Sequence, residues 1–140
     1  KLAGKDEIRY VAAELTRQKA RAYALFGKIN KAVATALTAA DMFEDEAELS
    51  MGHGCELLAG KFLIENSKWL EATTLFTTIA DSEGIQPSLR RAALLGLSTA
   101  LRGQGDQHES ERAKRQAERI QVDKPLATEH EFTAEHFFDD

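Results

Sequence analysis

Gly60-Lys61-Phe62-Leu63-Ile64-Glu65-Asn66-Ser67-Lys68-Trp69-Leu70-Glu71-Ala72-Thr73-Thr74-Leu75-Phe76 reads as the end of one helix, a tight turn at Asn66-Ser67, and a second helix that folds back on the first. Gly60 and Ala72 are small, so two helix backbones can approach closely there. Leu63, Trp69 and Phe76 are large and fill the space that remains.

Similar signals extend in both directions. Upstream, Ile8, Val11, Ala12, Leu15, Ala22 and Leu25 or Phe26 recur at three- and four-residue steps, predicting a helix over 6–26 that turns this stripe inward and ends at Gly27. Asn30 is an N-cap type for a second helix carrying Ala32, Val33, Ala36, Leu37, Ala40 and Phe43 on one side. Asp45 and Glu48 form a capping-box pattern before a third helix that runs to about Glu65. Gly52 and Gly54 inside it each cost about 1 kcal/mol relative to Ala, which points to another backbone passing close or to a later helix start. Downstream, 68–82 is a fourth helix with Trp69, Ala72, Phe76 and Ile79 facing inward. Gly84-Ile85-Gln86-Pro87 marks a break, since Gly suits a helix end and Pro the first turn of the next. A fifth helix follows over 87–102. Gly103-Gln104-Gly105 turns the chain, and Asp106 with Glu109 opens a sixth helix to about Gln121. Its only apolar strip is Ala113, Ala117 and Ile120, which suits the exposed end of an array. Pro occurs only at 87 and 125, and alternating β-branched runs are missing, so the fold is expected to be all-α.

Three hairpins fall into register. Ala32, Ala72 and Ser110 are the small residues of the second helices, at spacings of 40 and 38 residues. Gly27, Ser67 and Gly105 are then the turn residues, preceded by Tyr23, Leu63 and Leu101 and by the small residues Ala20, Gly60 and Ser98. The pattern resembles the tetratricopeptide repeat, in a form slightly longer than the standard 34 residues. Ala36 and Lys114 replace the usual aromatic of the second helix, and Ser110 replaces alanine. The resemblance implies a right-handed superhelical array of about three hairpins, an α-solenoid, with repeats at about 13–46, 53–86 and 87–121 in a domain over 1–121. Residues 122–140 follow as an acidic, aromatic tail.

In this family the first helix of each hairpin lines a concave surface. Carried across by register, that surface holds Arg17, Arg21 and Leu25, then Leu58, Lys61 and Ile64, then Leu95, Thr99 and Arg102. It is cationic with apolar patches, and its Arg side chains suit the carboxylates of a peptide. The expected function is protein or peptide binding as an adaptor, scaffold, chaperone or regulatory domain in the cytoplasm, with an acidic protein or peptide as the expected partner and no cofactor. The alternative is a ligand- or peptide-sensing domain of a larger effector such as a transcription regulator. The tail adds Phe132, Phe137 and Phe138 as partner-binding candidates, either in the chain's own groove, in a second molecule, or as a cap on the last hairpin.

Composition argues against other classes. At 140 residues, with 43% hydrophobic and 29% charged, the chain supports one ordinary globular domain. All residues after Lys124 that carry charge at neutral pH are acids, namely Glu129, Glu131, Glu135, Asp139 and Asp140; the 18 acids before them balance the 18 bases, so no basic face drives nucleic-acid binding. No apolar run is long enough to insert in a membrane. His53, His108, His130 and His136 form no helical His-x-x-x-His pair, and neither a phosphate loop nor a nucleophile motif is visible, so no metal, catalytic residue or enzymatic activity is expected. The lone Cys55 fits a reducing compartment.

Overall fold

The computed structural model describes residues 3–43 and 49–132. These form seven helices: α1 (Ala3–Leu25), α2 (Ile29–Met42), α3 (Leu49–Glu65), α4 (Trp69–Ala80), α5 (Pro87–Gly103), α6 (Gln107–Glu118) and the single turn α7 (Thr128–Glu131). No strand occurs among the described residues. Each helix from α1 to α5 packs against the next, α3 also lies beside α5, and α7 packs on α5.

The three hairpin turns are built alike. The N–H groups of Lys28, Lys68 and Asp106 donate to the carbonyls of Tyr23, Leu63 and Leu101, each at 2.9 Å, while those of Gly27, Ser67 and Gly105 donate to Ala24, Ile64 and Arg102, each at 3.0 Å. This pair of bonds satisfies the last carbonyls of a helix and requires a left-handed residue at the turn. Gly27, Ser67 and Gly105 supply it, with φ of 75°, 57° and 88°. The small residue of each helix in the three hairpins is buried: Ala20 and Ala32, Gly60 and Ala72, Ser98 and Ser110. In the third hairpin the alanine is replaced because the pair bonds reciprocally. The Ser98 hydroxyl donates to the Ser110 carbonyl at 2.8 Å, and the Ser110 hydroxyl to the Ser98 carbonyl at 2.7 Å. Ser110→Ala therefore loses one buried bond and is expected to lower stability by about 1 kcal/mol in urea unfolding; an unchanged midpoint would count against this account of the departure.

Several local expectations are corrected. In α1 the stripe Ile8, Val11 and Leu15 stays exposed, at 71%, 52% and 65%, and the buried side is Ala13 and Ala20. Both stripes have helical period. The alanine one wins because it faces the buried alanines Ala32, Ala36 and Ala39 of α2, and small residues allow the closest helix approach. Asn30 is inside α2, whose N-cap position is Lys28, because the turn bonds already direct the chain into the helix. Asp106 does cap α6, its carboxylate accepting from the Glu109 N–H at 3.1 Å, but the Glu109 side chain turns to Arg112 at 3.6 Å instead of reaching back. The Asp45 and Glu48 pattern lies outside the described residues. At Gly52 a Cβ would sit 3.2 Å from the Ala40 carbonyl oxygen, so α2 does pass close; at Gly54 nothing lies within 4 Å.

The main core joins α3, α4 and α5. Phe76 is fully buried with its ring over two glycines, Gly60 of α3 and Gly96 of α5; a Cβ on Gly96 would fall 2.5 Å from it. Trp69 lies in the same way over Gly103. These two aromatic-on-glycine contacts key the second hairpin to the third. Leu126 and Phe132 pack into this same core, so the tail up to Phe132 is part of the helical body. No helix among the described residues is long and apolar enough to cross a membrane.

Candidate functional site

One side of α1, α3 and α5 forms a groove, and α7 lies in it. The half nearer α5 is filled. There Glu131 pairs with Lys61 of α3, while Glu129 pairs with Arg91 of α5, whose Nε is 3.1 and 3.2 Å from the two carboxylate oxygens. A second Arg91 nitrogen donates to the Ile120 carbonyl at 2.9 Å, tying down the end of the chain that leads to α7. Phe132 is buried to 2% exposure and meets the Phe76 ring edge-on, with centroids 5.2 Å apart and planes at 76°. Its carbonyl accepts from the Thr99 hydroxyl at 2.5 Å.

The half nearer α1 is open. A cavity of about 250 Å³ lies between α1, α3 and α7, with Arg17 and Arg21 on one wall and Gly54, Leu57 and Leu58 on another. Arg17 is bonded to Glu14 of its own helix at 3.0 Å, and Arg21 is exposed. A smaller cavity of about 160 Å³ between α5, α6 and α7 is lined by Leu95, Arg102 and Lys114 among others. Charged walls over an apolar floor can hold an extended or single-turn peptide whose carboxylates face outward and whose ring faces in. The chain matches no family model, no curated protein and no solved structure.

The candidate residues separate into four groups. Arg17, Arg21, Leu58, Lys61, Leu95, Thr99 and Arg102 border the two cavities, with Thr99 already bonded to α7. Ile64 is 1% exposed and belongs to the core, where it clusters with apolar residues of α4 and α5 instead of facing the groove. Leu25 is 87% exposed at the last residue of α1 and lines neither cavity. Phe132 is a buried anchor, whereas Phe137 and Phe138 lie outside the described residues. Arg91 was missed. It stands four residues before Leu95 and eight before Thr99, so continuing that helical stripe by one turn would have found it.

Beside the groove, His53 is buried with Nδ1 2.8 Å from Glu56. Among the described residues no three His, Cys, Asp or Glu side chains are grouped so as to hold a metal ion. Burial pushes the Cys55 thiol up to about 11 from an ordinary 9.0, with Arg17 opposing the shift. The folded chain thus keeps its thiol proton to higher pH than the unfolded chain. Its contribution to stability is complete below about pH 9 and is lost as pH rises through 11, approaching about 3 kcal/mol for a two-unit shift. Alkaline unfolding of the parent and of Cys55→Ala should therefore diverge in that window, and parallel curves would contradict it. At pH 8 a thiol reagent is expected to spare the folded chain and label the unfolded one.

Proposed function

We propose that this protein is a protein- or peptide-binding module, serving as an adaptor, chaperone or regulatory domain, whose three hairpins stack as a tetratricopeptide-like right-handed solenoid. Acidic segments bind in the groove of α1, α3 and α5. One observation carries this reading: the chain's own acidic segment already lies in that groove, with a carboxylate on each wall and a ring on the floor. The shared turn geometry of the three hairpins supports the repeat architecture, and the adjacency of α3 and α5 supports a common binding face.

Titration of a panel of labelled acidic peptides by fluorescence anisotropy tests it. Affinity should fall with salt, because exposed charges are screened over about 8 Å at physiological ionic strength. Replacing Arg17, Arg21, Lys61 and Arg102 together by Ser should weaken binding by about 4-fold or more, from exposed pairs worth about 0.2–1 kcal/mol each. A peptide whose affinity survives that fourfold change binds another surface.

A further inference from the structure

Resting on the groove as the binding site, we propose a specific partner chemistry: two carboxylates separated by one residue, with phenylalanine directly after the second. Glu129-His130-Glu131-Phe132 is the resident copy, and an incoming segment must displace it. Residues two apart in a helical turn point about 160° away from each other. That divergence is what lets Glu131 reach Lys61 on α3 while Glu129 reaches Arg91 on α5. Phe132 then enters between the walls, where Phe76 receives its ring. The Thr99 hydroxyl reads the main-chain carbonyl of the same residue. Two charges, one ring and one carbonyl, each met by a different group, constitute recognition of a short motif, and moving either carboxylate by one position would break it.

The resident uses only half of the groove. Beside it the cavity of about 250 Å³ carries Arg17 and Arg21 on its wall, and Gly54 leaves open space on α3. A longer incoming segment gains contacts there that α7 does not make, and such a difference is what displacement requires. The resident itself is a helix of 4 residues, reached from α6 through a stretch without regular structure. A short tether gives an effective concentration in the millimolar range, so α7 is a strong competitor in cis. If it is docked about 99% of the time, affinity for an external segment is lowered about 100-fold.

The probe is a fluorescein-labelled peptide copying residues 126–132, with two altered forms in which the counterpart of Phe132 is Ala or that of Glu131 is Lys. Anisotropy is measured on the full chain, on Glu129→Gln/Glu131→Gln and on Lys61→Glu, with thermal melts to verify folding. The unaltered peptide should bind the doubly neutralised chain at least 10-fold more tightly than the parent. The Ala form should lose at least 10-fold, and Lys61→Glu should prefer the Lys form. Should the double variant not fold, Glu131→Gln alone, which keeps the Arg91 pair, carries the same comparison. Equal affinity for the parent and the neutralised chain overturns α7 as a competitor. Indifference to the ring or to the charge exchange overturns the motif, while the groove stands if Lys61→Glu still weakens acidic peptides. No binding of any acidic peptide to either chain overturns the groove and the inference together.

Discussion

Phe76→Ala is expected to cost about 3 to 5 kcal/mol, the range for removing a fully buried aromatic side chain. The ring fills space shared by three helices and the tail: it lies over Gly60 and Gly96 and meets Phe132 edge-on. Because both glycines press on the same ring, it has no free side to which it can retreat. Gly60→Leu should therefore be destabilising through overpacking by about 1 to 3 kcal/mol, and Ala72→Leu, at a fully buried site in the same core, by a similar amount. A double variant tests the cause. In Gly60→Ala/Phe76→Leu the added methyl takes space vacated by the ring, so the two changes should cost at least about 0.5 kcal/mol less together than their sum. Urea unfolding of the four proteins measures the cycle. If Gly60→Leu and Ala72→Leu both unfold like the parent, the packing of the central hairpin is not as described.

Arg91→Met is the second large effect. It removes the ion pair with Glu129 and the bond to the Ile120 carbonyl, and it leaves the Glu129 carboxylate, whose side chain is 11% exposed, without its counter-charge. A fully buried pair broken on one side costs about 3 to 5 kcal/mol. Arg91 is 25% exposed, so solvent reduces the loss, and about 1 to 3 kcal/mol is expected. Much of that should appear locally, as faster hydrogen exchange over residues 121–132. Adding Glu129→Gln should recover part of the stability, since the unpaired charge is then gone. An Arg91→Met protein with parent-like exchange in that segment would mean that α7 is held by Phe132, Thr99 and the Lys61–Glu131 pair without Arg91.

Local order in this protein was determined by the sequence itself. The turns at Gly27, Ser67 and Gly105, the small residues paired across each hairpin and the cap at Asp106 all depend on residues within about a dozen positions of one another, so spacing and residue type suffice to place them. Even the left-handed Ser67 was marked as a turn by its register with two glycines. The tertiary structure decided the rest. Helix α1 carries two apolar stripes of the same period, and only the closer fit of alanines against alanines selected which one is buried. Arg91 meets Glu129 across 38 positions, and Phe76 finds Gly96 on the next hairpin and Phe132 on the tail. Such contacts are set by shape and charge after the helices have stacked, and no local periodicity encodes them. The acids of the tail were plain in the composition, but the wall each one meets exists only once α3 and α5 stand side by side.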